Sequence, residues 1–126
     1  MYIHANPNPY GSYVGDCVIR AISIATNQSW DYVYLTVCIQ GFMEKNMPNA
    51  NSVWGNYLKS IGFRRFNLPD NCPDCYTVRR FCYDNPYGIF ILATGSHVIA
   101  VIDGNYYDAW DSGDEVPVAV WRSEET

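Results

Sequence analysis

Residues 15–22 read GDCVIRAI, and they place Cys17 where a polar loop turns into an apolar helix. Apolar residues recur at helical spacing from Val18 to Ala25, which predicts a largely buried helix. Asp16 stands at the position from which a side chain caps a helix. A cysteine in the first turn lies among free N–H groups and a partial positive charge, and both favour its thiolate. Cys17 is therefore a candidate nucleophile, with a small core residue as the structural alternative.

The rest of the chain predicts three further helices and then four strands. The helical stretches are residues 29–46, 52–62 and 78–84, and the strand stretches are residues 88–94, 97–103, 105–111 and 116–122. Because the helices come first and the strands follow through short turns, the predicted class is α+β with a small antiparallel sheet. A chain of 126 residues supports one modest core, so we expect a single domain over residues 1–126.

A second stretch, residues 95–114, supplies the groups that a nucleophilic cysteine needs. It reads GSHVIAVIDGNYYDAWDSGD, with His97 at the start of one strand and Asp108 and Asp111 toward the end of the next. A base must lie within hydrogen-bond reach of the nucleophile, and a third group must orient that base. A two-residue hairpin turn puts Asp108 on the face of His97, whereas a three-residue turn puts Asp111 opposite His97. We favour Asp111, with Trp110 then facing the core.

This order of a helix-start Cys, a strand-start His and a strand-end acid resembles the papain-like cysteine peptidase superfamily. The GDC segment is similar to the start of bacteriocin-processing peptidases, and the small size is typical of proteins encoded by bacteriophages and prophages. The resemblance implies a papain-like fold and a triad of Cys17, His97 and Asp111, with Asp108 as the alternative acid. It also implies hydrolysis of a peptide, isopeptide or amide bond in a peptide or protein substrate, without a cofactor.

Papain-like enzymes usually carry a Gln shortly before the nucleophile as an oxyanion donor, and no Gln precedes Cys17. The side-chain amides of Asn6 and Asn8 are the candidate replacements in this sequence. The same departure motivates an alternative from another class, a non-catalytic binding module of the same fold that acts as a phage-encoded modulator of a host protein.

The five cysteines permit a different interpretation. Cys72 and Cys75 form a CxxC pair, and Cys82 follows seven residues later. A zinc site would need these three thiols and a fourth ligand from Cys38 or His4. A redox pair and plain structural thiols are the other interpretations, and we favour the structural one.

Composition excludes several classes of partner. The formal charge is −5 and the basic residues are scattered, so we expect no nucleic-acid partner. No apolar run has the length of a membrane-spanning helix, and the first residues lack the pattern of a signal peptide. We therefore expect a cytoplasmic protein that has no membrane partner and keeps its cysteines as thiols.

Overall fold

The computed structural model describes residues 1–68 and 76–124. Within those residues the chain forms four helices and six strands. The helices are α1 (Cys17–Thr26), α2 (Trp30–Glu44), α3 (Asn51–Ser60) and α4 (Val78–Asp84). The strands are β1 (Tyr2–His4), β2 (Phe63–Asn67), β3 (Ile89–Ala93), β4 (Val98–Ile102), β5 (Asn105–Asp108) and β6 (Ala119–Ser123).

The strands of the described residues form one sheet in the order β1-β5-β4-β3-β6-β2. β3 and β4 form an antiparallel hairpin, and a second hairpin joins β4 to β5. Its turn is Asp103-Gly104, with φ of 50° and 79°, because Ile102 pairs with Asn105. Two positive φ values suit a two-residue hairpin turn, and Asp-Gly is a sequence that adopts them readily. This turn fixes the register of β5 against β4.

The sheet separates two cores because strand side chains alternate between its faces. One face packs against α1, α2 and α3 through residues such as Ile91, Ala100 and Trp121. The other face packs against α4, whose Phe81 and Cys82 lie among alternate residues of the same strands. α1 therefore lies on the face opposite α4, and its first residue reaches the end of the sheet where β4 begins.

The mixed α and β content agrees with the predicted class, but two details of the sheet prediction are wrong. β1 pairs in parallel with β5, with Tyr2 opposite Tyr106 and His4 opposite Asp108, so the sheet is mixed rather than antiparallel. The helices also do not all precede the strands, because β1 comes before α1 and β2 lies between α3 and α4. The chain start thus contributes an edge strand that the sequence analysis did not predict.

α2 buries a narrower face than its sequence suggests. Val33, Val37 and Gly41 are its buried residues. Its outer side exposes apolar side chains at helical spacing, namely Leu35, Ile39, Phe42 and Met43. An apolar helix that is covered on one side only leaves an exposed apolar stripe.

Candidate active site

Cys17 is the first residue of α1, and its side chain is half-buried. The side chain of His97 and the backbone N–H of Val98 interact with the thiol, and both interactions favour its thiolate. Both groups come from the start of β4, against which α1 packs. The helix start and the strand start thus bring together two residues that lie far apart in the sequence.

His97 and Asp108 are joined by the β4–β5 hairpin. The Nε2 atom of His97 lies 2.6 Å from Oδ2 of Asp108, and both side chains are buried. Because Nε2 bonds the carboxylate, the other ring nitrogen, Nδ1, is left for Cys17. Cys17 interacts with His97 in the wall of one cleft, and His97 is hydrogen-bonded to Asp108, so the three side chains follow one another in that order. This is the geometry of a nucleophile, a base and an orienting acid.

The carboxylate of Asp108 is fixed by three further donors. Ser112 Oγ donates to Oδ2 at 2.7 Å, and the backbone N–H of Ala109 donates to Oδ1 at 2.8 Å. Nη2 of Arg20 lies 3.5 Å from Oδ1. Burial alone would raise the pKa of Asp108, but its hydrogen bonds with His97, Ser112 and Ala109 and the His97 charge lower that pKa. Asp108 is therefore ionised and held in one orientation.

The same contacts also determine the charges of the His97 ring and the Cys17 thiol. Burial opposes the imidazolium, but hydrogen bonds with Asp108 and Cys17 and the charges of both raise the pKa of His97 to about 9. Burial also opposes the thiolate, yet the bonds from His97 and Val98 and the charges of His97 and Arg20 lower the pKa of Cys17. A raised His pKa beside a lowered Cys pKa favours a thiolate–imidazolium pair at neutral pH.

The prediction that Asp111 contacts His97 is wrong. Its carboxylate accepts a hydrogen bond of 2.5 Å from Tyr106 Oη and lies 3.6 Å from Nη2 of Arg79. The side chain of Asp111 is half-exposed and belongs to a surface ion pair. The physical reason is the two-residue turn of the β4–β5 hairpin. The strand register that it sets places Asp108, and not Asp111, beside His97.

Trp110 also differs from the favoured expectation, because its ring is not in the core. It stacks on the imidazole of His97 with 4.5 Å between ring centroids and 24° between planes. The Trp110 side chain remains 48% exposed. It therefore covers one face of the His97 ring.

Asn6 and Asn8 do not reach Cys17. Asn6 Nδ2 donates to the carbonyl of Ser12 at 3.1 Å, and Asn6 Oδ1 accepts the backbone N–H of Asn8. These amides hold the loop before α1 and do not line the cleft. The open cleft of about 330 Å³ beside Cys17 and His97 contains two other carboxamides, Asn49 and Asn51. Sequence reasoning missed both, because nothing local indicated that the end of the α2–α3 connection and the start of α3 line the cleft.

A buried ionic network next to Asp108 was also missed. Arg20 forms an ion pair with Asp16 as well as with Asp108, and it is 4% exposed. Asp16 Oδ2 in turn accepts the Trp30 indole N–H at 2.9 Å. Asp16 makes no side-chain capping bond, so its predicted capping role is wrong. The sequence feature that could have indicated this network is Arg20, a lone charge in an apolar helix, four residues after the acid Asp16.

The alternative zinc site is only partly covered by the structure. Cys72 and Cys75 lie outside the described residues, and Cys82 is buried within α4. In residues 1–68 and 76–124, no group of three or more His, Cys, Asp or Glu side chains is placed to hold a metal ion. None of the helices in these residues has the length and apolar character needed to cross a membrane.

Comparisons with known proteins give no family for this chain. No protein-family model, curated protein or solved structure matches it significantly.

Proposed function

We propose that the chain is a papain-like cysteine peptidase or amidase that uses Cys17, His97 and Asp108 as its triad. The observation that carries this proposal is a helix-start thiol with a lowered pKa that shares a cleft with a buried imidazole, which is itself hydrogen-bonded to a buried carboxylate. The order along the sequence and the helix-start, strand-start and strand-end positions agree with the family resemblance. Asp108 takes the orienting role that the sequence assigned to Asp111.

The chemistry is acyl transfer through a thioester. The Cys17 sulfur attacks the carbonyl carbon of an amide, and the C=O electron pair moves onto oxygen. When the tetrahedral intermediate collapses, the C–N bond breaks and the His97 Nδ1 proton passes to the leaving amine. Water then attacks the thioester while His97 takes its proton, and the thiolate leaves as the acid product forms.

Oxyanion stabilisation requires donors near Cys17. The Cys17 backbone N–H lies in the first turn of α1, where no carbonyl of a preceding helical turn is available to it. A second donor comes from the carboxamides of the cleft. Asn51 is suited to this role because its Oδ1 accepts the Trp54 indole N–H at 3.2 Å, which fixes the amide and leaves Nδ2 to donate.

Alkylation of Cys17 across pH, followed by peptide mapping, tests the proposal. We expect iodoacetamide to label Cys17 much faster than Cys38 at pH 6, where an ordinary thiol with a pKa of about 8.5 is well under ~1% ionised. His97→Ala should lower the Cys17 rate at least about tenfold. The matched control is His4→Ala, because His4 is the chain's other histidine and its side chain bonds Tyr2 rather than Cys17.

An acyl-enzyme measurement extends the test from reactivity to acyl transfer. A p-nitrophenyl ester should add one acyl group to Cys17 in the intact protein, and Cys17→Ser should remain unmodified. Equal labelling of Cys17 and Cys38, or an unchanged rate in His97→Ala, would overturn the proposed function.

The second candidate is a non-catalytic binding module of the same fold. The exposed apolar stripe of α2, formed by Leu35, Ile39, Phe42 and Met43, favours it because such patches commonly mark contacts with other proteins. This candidate predicts slow and uniform labelling of the accessible thiols, with no dependence on His97.

A further inference from the structure

An apolar side cavity of about 360 Å³ adjoins the cleft of Cys17. It lies between α1, α2 and the segment before α3, and its apolar walls include Val18, Ile19, Trp30, Tyr34 and Met47. Its volume is within the range of about 300–1,000 Å³ that is typical of small-ligand sites.

The side cavity and the cleft share part of their walls. Gly15, Val18 and Asn49 line both. A Cβ built on Gly15 would meet no atom within 4 Å, so there is open space beside this shared wall residue. A group attached to a carbonyl carbon at the Cys17 sulfur can therefore extend from the cleft into the side cavity.

The walls of the side cavity are chemically suited to an uncharged guest. Among the described residues that line it, Asp16 carries the charge, but its carboxylate is already bound by Arg20 and by the Trp30 indole. Asp16 is also buried, so it offers no partner to a cationic guest. Trp30 and Tyr34 stack with centroids 5.0 Å apart and form a flat aromatic wall. Such a wall packs well against an aliphatic or aromatic group.

We propose that the side cavity is a substrate subsite that takes a bulky, uncharged aliphatic or aromatic side chain of the residue acylated onto Cys17. This inference rests on the proposed function and names its substrate class. Peptides or acyl amides with such a side chain near the scissile carbonyl are the preferred substrates, and those with a charged side chain there are poor ones.

Three chloroacetamides, with N-benzyl, N-carboxymethyl and N-(2-aminoethyl) groups, test the preference. Each rate of Cys17 alkylation is divided by the rate of the same probe with glutathione, which removes differences in intrinsic reactivity. We expect N-benzyl to be at least about tenfold faster than either charged probe, because even one methylene in an apolar pocket is worth about 10-fold or more. Equal normalised rates would overturn the subsite.

Met47→Lys provides the test variant and Met43→Lys its matched control. Both methionines are about equally exposed, at 66% and 69%, but only Met47 lines the side cavity. Met47→Lys should lower the ratio of N-benzyl to N-carboxymethyl labelling at least about fivefold, because the new cation attracts the carboxylate. Met43→Lys should leave that ratio unchanged. The same change in both variants would contradict the subsite.

A binding measurement separates this inference from the proposed function. In Cys17→Ser, N-benzylacetamide should shift the Trp30 indole N–H resonance and leave that of Trp121 in place, since Trp30 lines the side cavity and Trp121 does not. No shift at Trp30 would overturn the subsite whatever the reactivity of Cys17. A shift combined with an unreactive Cys17 in the wild type would instead overturn the proposed function alone.

Discussion

Cys17 and Cys82 lie in helices on opposite faces of one sheet. Their environments shift the pKa values of their thiols in opposite directions. Cys17 stands at a helix start, bonded to His97 and Val98, and its pKa is lowered. Cys82 lies inside α4 with no such partners, and burial raises its pKa to about 11. Burial opposes ionisation at both positions, so the difference comes from the partners. The lowered pKa of Cys17 therefore depends on its partners at the start of β4 and not on the helix alone.

The largest effect on stability and on Cys17 labelling should come from removing the carboxylate of Asp108, at the end of the β4–β5 hairpin. Asp108→Ala leaves His97, Ser112 and Arg20 without their common partner, and breaking a buried ion pair in this way costs about 3–5 kcal/mol of unfolding free energy. The pKa of His97 should fall from about 9, and Cys17 should lose the part of its reactivity at neutral pH that depends on the His97 charge.

Denaturant unfolding and alkylation measure the two effects of Asp108→Ala. Asp111→Ala is the control, because Asp111 is a half-exposed acid of the same segment that bonds Tyr106 instead of His97. We expect at least an approximately tenfold loss of Cys17 labelling in the first variant and almost none in the second. The reverse result would restore Asp111 as the orienting acid.

Asp108 and Asp111 also show how much of the site could be predicted from the sequence. Helical and alternating patterns are local, so the four helices and the strands from β3 to β6 could be predicted. The pairing of Cys17 with His97 followed from the resemblance to papain-like peptidases and from the need of a nucleophilic cysteine for a base. The choice between Asp108 and Asp111 depended on one residue of turn length. Asp103-Gly104 adopts positive φ at both positions, which defines a two-residue turn. That preference was available in the sequence and should have favoured Asp108.

The missed elements depend on distant partners. β1 has three residues and exists because it pairs with β5, far along the chain. β2 contains two consecutive arginines and acquires its strand form by pairing with β6. Arg20 is a charged residue in an apolar helix, and its contact with Asp108 depends on how that helix packs against the sheet. Asn49 and Asn51 likewise enter the cleft through tertiary packing.

A smaller effect on Cys17 should follow from Arg20→Met, which preserves length and removes charge. Its loss leaves Asp16 and Asp108 buried without their shared cation, at a cost of about 3 kcal/mol in unfolding free energy. The pKa of Cys17 should rise, because the Arg20 charge is one of the groups that lower it.

The pH profile of Cys17 alkylation separates the electrostatic role of Arg20 from a purely structural one. Its midpoint should move upward in Arg20→Met and stay in place in Arg64→Met, an exposed arginine on β2. Loss of stability without a shifted midpoint would show that Arg20 supports the fold but does not tune the thiol.

A pH titration tests the ionic state of His97. The folded-state pKa of about 9 lies above the ordinary 6.5, so the protonated ring stabilises the fold fully below about pH 6.5 and this stabilisation is lost as pH rises through about 9. NMR of the ring protons should give the pKa directly. Cys17→Ser should lower the pKa of His97, since the bond and charge of Cys17 help to raise it. An unchanged pKa of His97 in this variant would show that Asp108 alone raises it.

The smallest effect on the site should come from Cys82→Ser. The substitution puts a hydroxyl in the α4 core and should cost about 1–2 kcal/mol of unfolding free energy, because the new polar group is buried. Cys17 labelling should not change, since the sheet lies between the two thiols. In the wild type, Cys82 should be alkylated only as fast as the protein unfolds, so that denaturant accelerates its labelling while Cys17 reacts in the folded state. Rapid labelling of Cys82 in the folded protein would contradict this comparison. The labelling rates would then follow access of the reagent and not the pKa of each thiol.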